Sequence, residues 1–406
     1  MTDKDDQRKH SVALVVPDLS VHSGVPAVAL FLYRIIASSG RYVPELISLS
    51  SSVGDSSSTY LASPRSWFKN AKLTTGEWQG LTYCHVGAEL TELEFQRYRP
   101  RRVLTELLDK FDIVQVVAGC PPWAMVTRDY KGKVALQVAT LSAVERVSML
   151  KQVGGLRRVW LWLMTKVNTA IEGPALDRAN VVFVENSWMY DLLKPRFGPE
   201  KIVFAPPGID TGFFYPTSYN PDGYLLSVGR FGDPRKNIRL LFDVYHRLRQ
   251  SRQDTPPLVL AGGLPPSPDD MEYAESLGIM PFVDWFENVT ADQLSSLYQD
   301  AALFLLSSNE EGLGLVIAEA MACGLPVIST SCGGPETLVI EGVTGHLVPV
   351  GDLDAMTSKI QELLLKPTLR QSMGQAARQR AVEHFSMDAT GKVFLNHYDL
   401  LLAGSV

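Results

Sequence analysis

The most informative stretch of the sequence is Ser307–Pro326, which reads SSNEEGLGLVIAEAMACGLP. Within it, Leu315–Cys323 is an apolar run with helical periodicity, and Gly324 follows it as a common helix stop signal. Short apolar runs typical of buried strands stand on either side, at Ala301–Leu306 and Pro326–Thr330. A strand, a helix and a second strand in this order predict a parallel βαβ unit.

Strand and helix signals alternate along the rest of the chain as well. Further strands are predicted in two sets, at Ser11–Pro17, Phe111–Val117, Val134–Val138 and Ala179–Glu185, and then at Leu225–Val228 and Pro257–Ala261. The segment Ala205–Asp222, rich in Pro and Gly, separates the two sets. A chain of 406 residues is too long for one ordinary core.

We therefore expect an α/β fold with two Rossmann-like parallel-sheet domains that face a cleft. The first domain should span residues 1–205 and the second residues 206–385, with a final helix within 386–406 that packs back on the first domain. Ligands in such folds bind at the carboxyl ends of the strands. No Gly-x-Gly-x-x-Gly fingerprint follows the first strand, which disfavours a nicotinamide-dependent enzyme.

Composition excludes several classes of protein. The net charge of −6 argues against a nucleic-acid partner. The polar first ten residues do not resemble a secretory signal, and no run approaches the ~18–20 apolar residues of a membrane span. The four cysteines are scattered without zinc-ligand spacing, so reduced thiols and a cytoplasmic location are expected.

The first candidate site lies in the stretch quoted above. Gly312 and Gly314 precede the predicted helix, where glycine permits close ligand approach and the helix start offers unpaired N–H donors. Glu311 in this loop could accept hydrogen bonds from sugar hydroxyls, and Glu319 on the helix could bind a ribose diol. The simpler alternative is a capped helix with two solvated glutamates.

A second candidate is Leu225–Asn237, LLSVGRFGDPRKN. Arg230 and Lys236 follow a strand end, and two cations at a cleft can neutralise a departing diphosphate. The alternative is a pair of ordinary surface cations. A third candidate is the turn at Gly333-Gly334, whose backbone amides could face a phosphate or simply lead into a helix.

These segments together resemble glycosyltransferase family 4, whose members have the GT-B fold and retain anomeric configuration. The resemblance rests on four matching segments in the order and spacing of the family, which are Ala205–Phe214, Val228–Asn237, Glu311–Ile328 and Gly333–Asp352. It implies that Glu311 contacts the hydroxyls of the donor sugar and that Glu319 binds the ribose. Arg230 and Lys236 would then bind and stabilise the diphosphate.

The resemblance also assigns roles to backbone groups. The amides near Leu313, Gly314 and Leu315 should hold the sugar and its phosphates. Val283 falls where the family contacts the base, and Gly24 matches the glycine loop near the diphosphate.

The implied reaction moves a hexose from a nucleotide diphosphate sugar to an acceptor hydroxyl. No cofactor and no metal are expected, because Arg230 and Lys236 can supply the positive charge. A UDP-sugar is favoured and GDP-mannose is an alternative donor. The acceptor could be a sugar, a lipid-linked molecule or a small metabolite, in cell-surface polysaccharide or glycolipid synthesis. A nucleotide-sugar epimerase of the same fold and a non-catalytic sugar-binding subunit remain open alternatives.

Two positions depart from the family pattern. Ser142 stands where many members carry a histidine near the reacting sugar, and Glu287 stands where glycine is usual. A catalytic step assisted by that histidine is therefore doubtful, and stabilisation of the leaving group should matter more.

The segment 156–171, LRRVWLWLMTKVNTAI, allows two interpretations. An apolar face could pack on the core, with the cations in solvent. Alternatively, its basic and tryptophan-rich surface could contact an anionic membrane as a peripheral protein on the inner face. The basic and aromatic segments 65–69 and 97–102 add to this character in the same domain. The pair Asp352-x-Asp354 resembles a metal-binding motif, but helix capping is the expected role.

Overall fold

A computed structural model of the chain describes residues 9–19, 24–61, 71–218 and 220–405. The basic segment 65–69 lies outside these residues. The chain forms two compact units. The first contains residues up to 185, residues 189–207 and residues from 390 onward, and the second contains residues 186–188 and 208–389.

The first unit is built on an eight-stranded sheet. Its strand order is β3-β4-β2-β1-β5-β6-β7-β8. The strands are β1 (His10–Pro17), β2 (Tyr42–Leu49), β3 (Leu73–Trp78), β4 (Leu81–Val86), β5 (Ile113–Val117), β6 (Lys133–Val138), β7 (Val181–Val184) and β8 (Ile202–Phe204). All neighbours pair in parallel except β3, which is antiparallel to β4. The sheet is therefore parallel apart from this antiparallel edge strand.

Helices connect these strands. They are α1 (Gly24–Ser38), α2 (Glu94–Arg97), α3 (Arg102–Leu108), α4 (Ser142–Glu145), α5 (Val147–Gln152), α6 (Gly155–Arg178) and α7 (Ser187–Phe197). A 3₁₀ helix covers Pro121–Thr127.

The second unit has a six-stranded sheet in which every pairing is parallel. Its order is β11-β10-β9-β12-β13-β14. The strands are β9 (Tyr224–Arg230), β10 (Leu258–Leu264), β11 (Val283–Glu287), β12 (Ala301–Leu306), β13 (Val327–Thr330) and β14 (Gly345–Val348). The prediction of two parallel-sheet α/β units is confirmed.

The helices of this unit alternate with its strands. They are α8 (Ile238–Ser251), α9 (Pro268–Ser276), α10 (Ala291–Asp300), α11 (Leu315–Ala322), α12 (Pro335–Leu338), α13 (Leu353–Leu365) and α14 (Pro367–Phe385). Two 3₁₀ helices cover Pro234–Lys236 and Met280–Phe282. Asp352 caps α13, because its Oδ1 accepts a hydrogen bond from Ala355 N at 2.9 Å, which confirms the capping interpretation.

The second sheet is buried on both faces. Leu226 and Phe304 pack into one apolar cluster, whereas their chain neighbours Leu225 and Leu303 pack into the other. Successive side chains of a strand point to opposite faces, so a sheet covered by helices on both sides needs apolar residues at nearly every position. This explains why the strands appear in the sequence as continuous apolar runs.

One close approach of backbones holds the carboxyl ends of β9 and β10 together. A Cβ atom added at Gly262 would lie 1.9 Å from the carbonyl oxygen of Gly229. Only glycine fits at this position, and the approach fixes the strand end at which Arg230 leaves the sheet.

The final helix, α15 (Met387–Leu402), belongs to the first unit from Thr390 onward. Phe394 is fully buried, and its ring centroid lies 4.5 Å from that of Phe183 on β7. The hydroxyl of Tyr398 donates to Gln115 Oε1 on β5 at 2.9 Å. The last helix therefore completes the core around β5 and β7.

The structure of α6 contradicts the interpretation that the apolar face of segment 156–171 packs on the core. Leu156, Val159, Trp160 and Leu163 would form the core-facing side, yet all four are exposed. The side of α6 that is buried is half polar, and Asn168 on this side hydrogen-bonds to Glu94 of the helix α2. The buried side consists of Met164, Thr165, Asn168, Glu172, Ala175 and Leu176. Of the described helices, none combines the length and apolar composition that a bilayer-spanning segment needs.

Candidate functional site

Three loops meet at the carboxyl edge of the second sheet. The neighbouring strands β9, β12 and β13 end at Arg230, Leu306 and Thr330. Parallel strands present their carboxyl ends at one edge, so the loops that follow them lie side by side, where ligands bind in folds of this kind. These loops contain the three segments in which the sequence places its charged and glycine-rich motifs.

Backbone hydrogen bonds join the three loops. Glu311 N donates to Cys332 O at 3.1 Å, and Gly334 N donates to Glu311 O at 3.0 Å. Asn309 N donates to Arg235 O at 2.6 Å. The loops therefore form a single framework rather than three independent connections.

Lys236 and Glu311 form an ion pair in this framework. Lys236 Nζ lies 2.6 Å from Glu311 Oε1, and Ser308 Oγ donates to the same oxygen at 2.6 Å. The two charged side chains are only 16% and 11% exposed. Charges removed this far from water are stable only when paired and hydrogen-bonded, so the arrangement fixes both groups in position.

Asp233 organises the two arginines of the same turn. Its Oδ2 accepts from Arg235 Nη2 at 2.8 Å and from Arg230 Nη2 at 3.2 Å. Burial raises the pKa of Asp233, but hydrogen bonds and charge from Arg235, with the charge of Arg230, outweigh this and hold it below its usual value. Arg235 Nη1 also lies 3.3 Å from Glu310 Oε2, so Arg235 ties the turn to the next loop.

Glu319 lies on α11 beside a buried tyrosine. The hydroxyl of Tyr298, a residue with no exposed surface, donates to Glu319 Oε2 at 2.8 Å. Burial raises the pKa of Glu319 to about 7, and the hydrogen bond from Tyr298 partly offsets this rise. The carboxyl group therefore changes charge close to neutral pH.

The start of α11 is shaped by Gly314, which has φ of 87° and ψ of 58°. Only glycine adopts this left-handed conformation without strain, and no side chain caps the helix that begins at Leu315. The side chain of Leu313 is buried in the core, and Gly312 O accepts from Asn186 Nδ2 at 2.6 Å. The loop thus presents its backbone rather than its side chains.

The turn at Gly333-Gly334 packs directly on this loop. A Cβ atom added at Gly334 would lie 2.5 Å from Leu313 Cα and Leu313 O. Gly333 has a positive φ of 110°, in the region that favours glycine. Both glycines are therefore required by the packing of the two loops.

The structure does not bring Val283 to this edge. Val283 is the first residue of β11 and pairs with Leu258, so it lies at the amino end of the sheet, about 13 Å of strand away from the carboxyl end at Glu287. The prediction of a base contact at Val283 conflicts with this position. Gly24 begins α1 in the first unit, where it is exposed.

Ser142, where the family often has histidine, begins α4 in the first unit and is buried. Its backbone N donates to Glu172 Oε1 at 2.6 Å. Burial raises the pKa of Glu172, although hydrogen bonds from Ser142 partly offset the rise. Nearby, Cys120 Sγ lies 3.1 Å from Glu145 Oε2. The position is filled by a buried polar cluster that contains no histidine.

Several of these residues were not singled out from the sequence. Asp233 and Arg235 stand beside predicted residues in GDPRKN, and their opposite charges could have indicated a salt-bridged turn. In the sequence Tyr298 stands at an apolar position of α10. Only its hydroxyl group could have indicated a polar role. Asn186 carries no local signal, because its partner Gly312 is 126 residues away.

A comparison with protein families matches residues 211–380 to the model described as Glycosyl transferases group 1. The matched range contains Arg230, Lys236, Glu311 and Glu319. This chain resembles the GT-B glycosyltransferases. The resemblance predicted from the motifs is confirmed.

Curated relatives carry the names of glycosyltransferases. The chain is 30% identical over 252 residues to the GDP-mannose-dependent alpha-(1-6)-phosphatidylinositol monomannoside mannosyltransferase of Mycolicibacterium smegmatis, covering 57% of this chain and 65% of that protein. It is 32% identical over 219 residues to the D-inositol 3-phosphate glycosyltransferase of Segniliparus rotundus, covering 51% and 48%. The chain thus spans between about half and two thirds of the length of these relatives.

Solved structures support the fold over the whole chain. Sucrose-phosphate synthase of Thermosynechococcus elongatus matches with a TM-score of 0.73 at 19% identity, covering 98% of this chain and 100% of that one. HepE of Anabaena in complex with UDP-glucose matches with a TM-score of 0.71 at 14% identity, covering 96% and 99%. At these identities the likeness shows the fold alone.

Proposed function

We propose that the protein is a glycosyltransferase that binds a nucleotide diphosphate hexose at the carboxyl edge of the second sheet. The observation that carries the proposal is the meeting of Arg230, Lys236, Glu311 and the start of α11 in loops that hydrogen-bond to one another. The names of the relatives, which include a GDP-mannose-dependent mannosyltransferase, support the same reaction class.

The two cations are suited to a diphosphate. An ammonium group has three donors, so Lys236 can bind a phosphate oxygen and keep its bond to Glu311 Oε1. Arg230 is one third exposed and bonded to Asp233 through a single nitrogen, so its remaining donors can turn toward the ligand. Cations that are already in position stabilise negative charge as it develops on a leaving group.

The remaining groups would bind the rest of the donor. Glu311 would accept hydrogen bonds from hexose hydroxyls, and the backbone N–H groups of Gly314 and Leu315 would face the sugar and the phosphates. Glu319 would accept hydrogen bonds from the ribose diol, with Tyr298 fixing one of its oxygens. Val283 is left out of this scheme, because it begins β11 at the amino end of the strand.

In the proposed reaction the bond between the anomeric carbon and the phosphate oxygen breaks, and its electron pair stays on the diphosphate. The acceptor oxygen forms the new bond on the face from which the diphosphate leaves, and its proton passes to the departing phosphate oxygen. Configuration is thereby retained. Neither a divalent metal nor a cofactor enters the scheme, because Arg230 and Lys236 supply the positive charge.

The donor base and the acceptor have to be identified by experiment. The sequence favours a UDP-sugar, whereas one named relative depends on GDP-mannose. We place the acceptor, a sugar, a lipid-linked molecule or a small metabolite, in the first unit, and a cytoplasmic role in polysaccharide or glycolipid synthesis stays part of the proposal.

The test measures donor binding by calorimetry and acceptor-dependent release of nucleotide diphosphate, with UDP- and GDP-hexoses as donors. Lys236→Met and Glu311→Gln should each lower the transfer rate by about 10²-fold or more, because each removes a group at the developing charge or the sugar. The matched controls are Lys366→Met and Glu362→Gln, which alter a surface ion pair at the carboxyl end of α13 and should keep wild-type rates. Wild-type rates in the two site variants would refute the site.

The reaction products distinguish a transferase from the two alternatives, an epimerase and a non-catalytic subunit. An epimerase would alter the sugar while it stays on the nucleotide and would need no acceptor, whereas a non-catalytic subunit would bind the nucleotide sugar without turnover. A chelator added to the same assay should leave the rate unchanged. A loss of rate that Mg²⁺ or Mn²⁺ restores would overturn the metal-free scheme.

A further inference from the structure

The amino-terminal third of α6 projects an apolar surface into solvent. Leu156 is 89% exposed, and Val159, Trp160 and Leu163 are each more than 40% exposed. These four residues follow the i, i+3, i+4, i+7 spacing of one helical face. We call this set the exposed face of α6.

Packing within the described part of the first unit does not explain this face, because its four residues stay exposed. From Met164 onward α6 is anchored by the opposite side, where Asn168 Nδ2 donates to Glu94 Oε1 at 3.0 Å. Glu172 accepts from the backbone of Ser142. The helix is therefore positioned without burying the four residues of the exposed face. Removal of such apolar residues from water is favourable. A surface that covers them would therefore bind with a gain in free energy.

Positive charge is concentrated in the segment that contains the exposed face. Residues 146–171 contain five Arg or Lys and no Asp or Glu, in a chain of net charge −6. Four of these cations are exposed, which are Lys151, Arg157, Arg158 and Lys166. Lys166 Nζ lies 5.9 Å from the ring centroid of Trp162, which is itself 52% exposed. At this position a cation and a tryptophan thus lie together on the surface of the helix.

We propose that the exposed face of α6 and its four flanking cations dock on the surface of an anionic lipid bilayer. Tryptophan prefers the boundary between headgroups and acyl chains, and basic residues nearby are attracted to anionic lipids. A second copy of the chain fits poorly, because two such faces would oppose their cations. The helix would lie on the membrane and not across it, since its second half is anchored in the first unit. The proposal is independent of the reaction proposed above.

The test is co-sedimentation of the full chain with vesicles of phosphatidylcholine and phosphatidylglycerol, compared with vesicles of phosphatidylcholine alone. Wild-type protein should bind the anionic vesicles and release at high salt, because attraction to the headgroups is screened. Removing three cations with Arg157→Gln, Arg158→Gln and Lys166→Gln should weaken binding by roughly 100-fold, at about fivefold per cation near the surface.

A second variant removes the apolar part through Leu156→Gln, Trp160→Ser and Leu163→Gln, and should lose binding. Each triple variant has a matched control at exposed positions elsewhere. For the cations the control is Arg128→Gln, Arg247→Gln and Lys366→Gln, and for the apolar residues it is Leu192→Gln, Leu365→Gln and Leu400→Gln. Both controls should bind as the wild type does, and circular dichroism should show that all variants are folded.

Tryptophan fluorescence gives an independent signal. Wild-type emission should shift to shorter wavelength with anionic vesicles, and the double variant Trp160→Phe and Trp162→Phe should lose the shift while still binding. The proposal is overturned if wild-type protein ignores anionic vesicles at low salt, or if the site variants bind as tightly as their controls. A concentration-dependent dimer that the apolar variant alone abolishes would assign the face to a second copy instead.

Discussion

At the scale of single residues, we predict that the environment of Glu319 makes binding of the proposed donor sensitive to pH. Its pKa is raised to about 7 by burial, against an ordinary value of 4.5. Because this pKa is higher in the folded protein than in the unfolded chain, the group stabilises the free protein at pH below about 4.5. This stabilisation is lost as the pH rises through about 7. The charged form needed to accept two ribose hydroxyls appears over the same range, so binding and stability should respond to pH in opposite directions.

We therefore predict that a nucleotide diphosphate sugar binds roughly tenfold more tightly at pH 8 than at pH 5.5, because hydrogen bonds to a charged acceptor are stronger. The phosphates of such a donor keep constant charge over this range, so the change reports on the protein. Calorimetric titration at a series of pH values measures it.

Two variants separate Glu319 from other titrating groups. Glu319→Gln should bind the donor with an affinity that does not follow pH between 5.5 and 8. Tyr298→Phe removes a hydrogen bond that lowers the pKa of Glu319, so the midpoint of the profile should move to higher pH. A profile that is the same in all three proteins would show that Glu319 does not face the donor.

At the scale of elements, the strands and helices nearest the site could be predicted because their signals are local. The strand Ala301–Leu306 is an uninterrupted apolar run, the strand Val327–Thr330 begins with two β-branched apolar residues, and α11 is followed by Gly324. The carboxyl-edge location of Arg230 and Glu311 followed from strand order in a parallel sheet. The site framework was thus accessible from the sequence.

The sequence is least informative where tertiary contacts decide the outcome. The start of β11 is set by pairing with β10, which local propensity does not report, so the sequence does not show that Val283 lies at the amino end of a strand. The buried side of α6 includes Asn168, which bonds to Glu94, 74 residues earlier in the chain, and this side is not the apolar stripe of the helix. Long-range polar partners of this kind leave no periodic signal.

Gly334, at the start of α12, lies directly against the loop before α11. Gly334→Ala places a methyl group 2.5 Å from the Leu313 backbone, so the loop must move by several tenths of an ångström or more. Overpacking of this size costs about 1–3 kcal/mol, and part of that cost should appear as a donor affinity lowered about tenfold. Calorimetry with the nucleotide sugar measures this loss.

The matched control is Gly212→Ala in the same unit, where the added methyl group meets only Asp210 Oδ1 at 3.4 Å. This variant should keep the affinity and the thermal unfolding temperature of the wild type. Equal donor affinity in Gly334→Ala and Gly212→Ala would mean that the Leu313 loop is not part of the donor site.

At the scale of the whole molecule, the chain leaves the first unit and returns to it. The second unit ends in α14, and the sequence then re-enters the first unit from Thr390. The sequence predicts a final helix that packs back on the first domain. Its partners on β5 and β7, 211 to 283 residues earlier in the chain, come only from the structure.

The packing of the last helix on the first unit can be tested at Phe394. Phe394→Ala removes a fully buried ring that packs on β7, at a cost of about 3–5 kcal/mol. Hydrogen exchange followed by mass spectrometry should show faster exchange in β5 and β7 and unchanged exchange in β9 and β12, because α15 supplies core only to the first unit. Leu400→Ala on the same helix, 40% exposed, should leave all four strands as in the wild type. If Phe394→Ala instead accelerated exchange in both sheets alike, the stability of the second unit would depend on the last helix, and the two units could not be treated as separate cores.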